Sequence, residues 1–203
     1  MAKEKHPLVG VLALQGAFRE HVAALTKLGA ATREVRQLRD LDGIDAMVIP
    51  GGESTTIGKL LVDLGIMEPL RARIEGGMPV YGSCAGLILL CRHIEGSEQP
   101  RLGVLDATVR RNAFGRQVDS FEADLDIPAL GPRPLPAVFV RAPVILSTGP
   151  SVEVLARVEM DGADRAVAVR EGRILATSFH PELTPDTRFH RYFLEMCEGA
   201  AEG

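Results

Sequence analysis

Cys84 stands in Gly82-Ser83-Cys84-Ala85-Gly86, between a short apolar run at 79–81 and a longer one at 87–94. This is the pattern of a nucleophile elbow with cysteine in the serine position. A strand turning sharply into a helix exposes its nucleophile in a tight bend, and flanking glycines remove side chains that would clash there. The helix N-terminus adds unpaired N–H groups and the positive end of a dipole, which favour a thiolate. A thiol of ordinary pKa, ~8.5, is only a few per cent thiolate at neutral pH and needs a base. One is offered by Ala176-Thr177-Ser178-Phe179-His180-Pro181-Glu182, a buried-type strand ending in a histidine with a carboxylate two residues on. The carboxylate can fix the tautomer and orientation of the imidazole. A lone cysteine beside a glycine turn is ordinarily buried and inert. The two signals together point to nucleophilic catalysis by Cys84, His180 and Glu182. The same three side chains are potential zinc ligands, but no Cys-x-x-Cys or His-x-x-x-His spacing accompanies them, and no metal is expected.

A third signal, Pro50-Gly51-Gly52-Glu53-Ser54-Thr55-Thr56-Ile57-Gly58-Lys59, also follows an apolar strand-like run. A phosphate loop needs four residues between its glycines and a hydroxyl residue after the lysine. Here Gly52 and Gly58 enclose five, and Leu60 follows Lys59, so the spacing argues against a nucleotide. The two glycines of this turn can instead direct a backbone N–H at a substrate carbonyl, as one half of an oxyanion hole whose other half follows the nucleophile at Ala85. An ordinary glycine turn is the alternative. Arg110-Arg111-Asn112-Ala113-Phe114-Gly115-Arg116-Gln117 is either a solvated hairpin or a place where an arginine forks onto a carboxylate or a partner.

These residues need elements to position them. The run at 8–14 reads as a strand buried on both faces, followed by a helix with Phe18, Val22, Leu25 and Leu28 at helical spacing and Gly29 as its stop. Strands are predicted at 32–35, 46–49 and 79–81, and helices at 56–64, 67–74 and 87–94, the last carrying both Cys84 at its start and Cys91. Alternating strands and helices favour an α/β fold with a mainly parallel central sheet. Beyond Leu102 strand-like runs take over, at 103–109, 117–121, 137–140, 152–158, 166–169 and 174–179, read as an antiparallel β extension plus returning strands. Arg170-Glu171-Gly172-Arg173 looks like a hairpin turn. Pro128, Pro132, Pro134 and Pro136 crowd a segment read as a loop, or alternatively as a linker between domains. A C-terminal helix is expected at 188–198.

The chain has 203 residues, suited to a single domain spanning 1–203, with 46% hydrophobic and 25% charged residues, the balance of a globular protein. No apolar run approaches the ~18 residues of a membrane span, and the first residues lack a signal-peptide core, so a cytoplasmic location is expected. A net charge of -4 without a basic block argues against nucleic-acid binding. Three cysteines fit free thiols in a reducing compartment better than a disulfide framework.

Taken in order, Ala13-Leu14-Gln15-Gly16-Ala17, Gly51-Gly52-Glu53-Ser54-Thr55, the Cys84 elbow, Arg111-Asn112-Ala113-Phe114-Gly115-Arg116-Gln117 and His180-Pro181-Glu182-Leu183-Thr184 closely resemble the class I, triad-type glutamine amidotransferases. Within them, the resemblance is to the glutaminase subunits of pyridoxal 5′-phosphate synthases, and it runs from about Leu8 to Phe193. It implies a three-layer, flavodoxin-like fold with Cys84 as nucleophile, His180 as general acid/base, Glu182 as its orienter, and Gly52 and Ala85 as oxyanion donors. L-glutamine would be held by Gly52, Glu53, Ser54, Arg111, Val140 and Arg141. The implied partner is a separate (β/α)8-barrel synthase subunit that takes the ammonia, and no cofactor is implied for this chain. Two alternatives are an amidotransferase subunit serving another synthase and a non-catalytic binding or redox module on the same fold.

Overall fold

In the computed structural model, which describes residues 7–111, 120–160 and 162–199, the first apolar run forms β1 (Leu8–Leu12). Val9 and Val11 face one hydrophobic cluster and Leu12 the other, as a strand covered on both faces requires. The elements that follow are α1 (Phe18–Lys27), β2 (Ala31–Val35), β3 (Ala46–Ile49), α2 (Ser54–Asp63), α3 (Met67–Glu75), β4 (Val80–Ser83) and α4 (Ala85–Leu90). Next come β5 (Cys91–Ile94), β6 (Leu105–Arg110), β7 (Ser120–Leu125), β8 (Leu135–Val140), β9 (Val144–Thr148), β10 (Glu153–Met160), β11 (Ala163–Glu171), β12 (Ile174–Thr177) and α5 (Arg188–Glu198).

A seven-stranded sheet in the order β10-β11-β12-β4-β3-β1-β2 forms the middle layer. The strands from β12 to β2 are parallel, and β11 and β10 extend the sheet antiparallel. Ile57 and Leu61 of α2, Leu70 and Ile74 of α3, and Leu87 to Leu90 of α4 pack one face with Met47, Ile49 and Val80. Leu25 of α1 and Phe189 and Phe193 of α5 pack the other with Val9, Val48, Tyr81 and Leu175. The mainly parallel, three-layer α/β architecture is the one expected. Two smaller sheets flank it. β5-β6-β9 packs through Leu105, Val109 and Ile145 into the first cluster, and the antiparallel ribbon β7-β8 packs through Leu125, Leu135 and Phe139 into the second.

Several local expectations are corrected. The helix expected at 87–94 runs from Ala85 to Leu90, and Cys91 opens a strand instead of sharing the helix with Cys84. An apolar run buried on every side has no period to mark where helix yields to strand. Only Arg92 and His93, both exposed between buried Cys91 and Ile94, betray the change. The proline-crowded segment is not all loop, because Leu135 and Pro136 already belong to β8, with Pro136 opposite Asp124. A two-stranded ribbon leaves each strand a free edge, where a missing N–H is tolerated. Ile127 and Leu135 at the two ends of that segment are 2% and 1% exposed within the core cluster, unlike residues of a solvated linker. Strands β5 and β9 escaped the sequence reading, and the first residues of the strand expected at 117–121 lie outside the described residues. The hairpin turn at 170–173 joins β11 to β12, with Glu171 opposite Ile174 and Gly172 at φ 57°.

The elbow rests on close packing. A Cβ on Gly86 would lie 2.1 Å from the Ile49 carbonyl oxygen, and one on Gly82 would lie 2.6 Å from the backbone of Gly86. Both obstacles are backbone and cannot swing aside. Gly86→Ala is expected to destabilise the protein by about 1–3 kcal/mol through overpacking, despite alanine's better helix propensity, and the shift of the urea midpoint checks it.

Candidate active site

Because β1, β3, β4 and β12 are parallel, the segments that follow them emerge on one edge of the sheet. These are Gln15-Gly16-Ala17, Gly51-Gly52-Glu53-Ser54, Cys84 and His180, and open α/β sheets bind ligands in the crevice on that edge. Cys84 is the link between β4 and α4 and adopts φ 50°, ψ −100°, a conformation rare for a residue with a side chain. Its N–H donates to the Thr177 carbonyl at 2.8 Å, pinning the elbow to the end of β12. Its Sγ lies 4.0 Å from the Val140 carbonyl oxygen. Ala85 opens α4, where the first N–H groups have no partner within the helix.

His180 is fixed on three sides. Its N–H donates to the Val138 carbonyl at 2.8 Å, its ring lies where a Cβ on Gly51 would come within 2.3 Å of Cε1, and its Nδ1 is 2.7 Å from Glu182 Oε1. An ionised Glu182 can only accept, so Nδ1 carries the proton and Nε2 remains for the thiol. Burial alone would push the imidazole down, but hydrogen bonds with Cys84 and Glu182 and the carboxylate charge raise it well above 6.5. Burial alone would likewise raise Glu182, yet His21 and His180 at its two oxygens hold it well below 4.5. The site therefore couples a thiol, a base and a buried anion in one line.

A cavity of about 380 Å³ opens over Cys84. Gly52, Glu53, Ser54, Arg111, Val140 and Arg141, all named from the sequence, line it with Cys84 and His180. Glu53 caps α2, accepting from the Thr56 N–H at 2.9 Å and the Thr56 hydroxyl at 3.0 Å, and forms an ion pair with Arg111 at 3.1 Å. Partial burial would raise its carboxyl, but these donors and Arg111 hold it below the usual range. Arg111 also donates to Thr55 Oγ1 at 2.9 Å and to Gln99 Oε1 at 2.6 Å. Arg141 sits at φ 41° at the end of β8. Asn112 to Gln117, the rest of the cationic segment, lies outside the described residues.

Some site residues were not singled out. Gln15 Oε1 accepts from the Glu53 N–H at 2.7 Å and fills the space where a Cβ on Gly52 would stand. Its place just after a buried parallel strand was the available signal. Leu183 at the cavity mouth had only its place in the His180–Thr184 segment, and Gln99 beneath Arg111 had no signal. A larger groove, about 730 Å³, runs past Leu38, Leu64 and Arg73 but contains no cysteine, serine or histidine. Cys91 and Cys197 are buried elsewhere, and burial pushes both thiols up, Cys197 to about 12. Among the described residues no group of three or more His, Cys, Asp or Glu is arranged to hold a metal ion, and no helix is long and apolar enough to cross a membrane.

Comparison with known proteins places nearly the whole chain. Residues 11–199 match the SNO glutamine amidotransferase family. A Pelotomaculum thermopropionicum protein named pyridoxal 5′-phosphate synthase subunit PdxT is 60% identical over 194 residues, 96% of this chain and 97% of its own. Its Thermus thermophilus namesake is 58% identical over 192 residues, 94% of this chain and 97% of its own. A crystal structure described as a glutamine amidotransferase is 55% identical, with a TM-score of 0.87 over 93% of this chain and 98% of that one. A glutamine amidotransferase of Thermotoga maritima shares the fold at 13% identity, with a TM-score of 0.62 over 98% of this chain and 87% of that one.

The shifted groups predict a pH profile of stability. Glu182 is lowered from 4.5 in the folded state, so its ionisation stabilises the fold above that pH, and the contribution is lost as pH falls through the lowered value. His180 is raised, so its protonation stabilises the fold below 6.5, and that contribution is lost as pH rises through about 10. Urea midpoints measured across pH should fall on both sides, and Glu182→Gln should flatten the acid limb.

Proposed function

The chain belongs to the SNO glutamine amidotransferase family, and from that premise we propose that it hydrolyses L-glutamine to glutamate and ammonia as the glutaminase subunit of a pyridoxal 5′-phosphate synthase. The observation that carries the reading is His180, held between Cys84 and the buried Glu182 at the mouth of a cavity of amino-acid size. We take residues 1–203 as one glutaminase domain acting in the cytoplasm, with no cofactor of its own.

In this mechanism the Cys84 thiolate attacks the side-chain amide carbon of glutamine. The N–H groups of Gly52 and Ala85 receive the oxyanion, and an oxyanion donor is typically worth about 3–4 kcal/mol. His180, protonated after taking the thiol proton, gives that proton to the departing ammonia. A glutamyl thioester remains on Cys84. Neutral His180 then removes a proton from water, which attacks the thioester and releases glutamate and the thiol. Glu182 keeps the imidazole in the tautomer with Nε2 toward the sulfur and stabilises the imidazolium.

Glutamine is held by Gly52, Glu53, Ser54, Arg111, Val140 and Arg141. The Glu53–Arg111 pair places one charge of each sign at the cavity wall, matching an amino-acid zwitterion. The guanidinium suits the α-carboxylate through its fork of donors. The partner is the synthase subunit, whose (β/α)8 barrel is implied by the resemblance, and it receives the ammonia on a path shielded from water.

Glutamate release should be measured with and without a pyridoxal 5′-phosphate synthase partner subunit. We expect activity that appears or rises with the partner, and a loss of at least ~10⁴-fold in Cys84→Ala with complex formation retained. Glu182→Gln should cost less than His180→Ala, because orientation is impaired while the base stays. Glutaminase activity surviving in Cys84→Ala would refute the assignment, and binding to a different synthase would redirect it.

A further inference from the structure

Behind the candidate triad lies a buried polar group that the proposed reaction leaves without a role. His21 on α1 and His190 on α5 are both 0% exposed. His21 Nδ1 is 3.0 Å from His190 Nε2, and His21 Nε2 is 3.0 Å from Ser83 Oγ and 3.4 Å from Glu182 Oε2. Ser83 directly precedes Cys84, so the group touches Glu182 directly and adjoins Cys84 through the chain. Tyr81 stands edge-on to both imidazoles, its hydroxyl 2.9 Å from Thr177 Oγ1. Buried polar side chains weaken a layer that apolar ones could fill unless they are satisfied and used.

The hydrogen-bond geometry selects one proton arrangement. His190 Nδ1 is buried and has no hydrogen-bond partner among the described residues. An unpaired N–H there would carry the full cost of a buried, unmet donor, so the proton of His190 belongs on Nε2. That N–H donates to His21 Nδ1, which must then accept. The proton of His21 is therefore on Nε2, facing Ser83 Oγ and Glu182 Oε2. The opposite arrangement would strand a donor on His190 and turn a lone pair of His21 toward a carboxylate. Glu182 Oε2 is buried and makes no hydrogen bond among the described residues, and His21 Nε2 is the nitrogen beside it, at 3.4 Å. Burial also pushes His190 down, to about 3, which keeps it neutral.

We propose that His21 is a positioning residue for the triad, its Nε2–H bonded to Ser83 Oγ and facing Oε2 of Glu182 at 3.4 Å, so that the carboxylate presents Oε1 to His180, with His190 fixing the tautomer of His21 from behind. The assignment rests on the glutaminase reading of Cys84, His180 and Glu182. It extends the line of partners from the thiol to α5, joining two helices on one face of the sheet to the chemistry at its edge.

The test uses the full chain with its synthase partner. His21→Leu should lower kcat for glutamine about 10- to 100-fold, the order expected for loss of one orienting donor beside a buried charge, with KM nearly unchanged. His21→Gln, which keeps an N–H near the position of Nε2, should restore most of the rate. The midpoint of Cys84 alkylation by iodoacetamide, followed on the Cys84 peptide against pH, should move upward in His21→Leu and return in His21→Gln. Wild-type kcat and an unmoved alkylation midpoint in folded His21→Leu would overturn the proposal while leaving the glutaminase reading intact. Absence of glutamine hydrolysis by the wild-type complex would overturn that reading instead, and the alkylation midpoint would still decide the role of His21. Should His21→Leu not fold, nitrogen chemical shifts of the wild-type imidazoles decide: protons on Nε2 of both His21 and His190 support the proposal, and a proton on Nδ1 of His21 overturns it.

Discussion

The hydrogen bond from the Cys84 N–H to the Thr177 carbonyl, 2.8 Å long, is the constraint on which the site depends. It extends the parallel register in which Ser83 lies opposite Thr177 by one residue, past the point where β4 ends. Cys84 can then turn into α4 at positive φ without leaving the sheet edge, and His180, three residues beyond Thr177, arrives beside it. Residues 96 positions apart in the chain are thereby held with the tolerance of a backbone ladder, not of a loop. The close approach of Gly86 to the Ile49 carbonyl seats α4 over β3 and sets the direction in which the elbow opens.

The electrostatics follow from that placement. A buried carboxylate is costly unless its oxygens meet donors, and Glu182 lies between two imidazoles, His180 at 2.7 Å and His21 at 3.4 Å. The raised imidazole of His180 and the lowered carboxyl of Glu182 are two aspects of one arrangement, in which each charge compensates the desolvation of the other. At the cavity mouth the rule is different. Glu53 and Arg111 are partly exposed, and their pairing is a matter of shape and charge pattern more than of stability.

The antiparallel additions to the central sheet are part of the site as well as of the core. The ribbon β7-β8 accepts the His180 N–H at Val138 and brings the Val140 carbonyl over the Cys84 sulfur. β6 ends at Arg110, so that Arg111 reaches back to Glu53, Thr55 and Gln99 on the far wall. A parallel α/β core supplies the nucleophile and base, and the additions close the walls around them.

Much of this was legible in the residues themselves. The alternation of apolar runs with helical spacing specified the parallel core because each segment carries its own period, and the glycines about Cys84 mark a turn that only residues without side chains can pack. Gly52, Glu53 and Ser54 stood in a glycine turn after a strand, a local signal, whereas Val140 and Arg141 could be tied to the cavity only through the family resemblance, since neither has a local pattern that announces a site. The break between α4 and β5 and the entry of Pro136 into β8 were not legible, because burial on all sides erases periodicity and a ribbon edge relaxes the rule against proline. Nor was the cluster of His21, Ser83 and His190, whose members lie on three separate elements with no spacing to relate them. The sequence by itself determined which residue types stand at which strand ends, because those choices are local. Only the tertiary structure decided which of them meet, because that depends on strand order and register, which no single segment encodes.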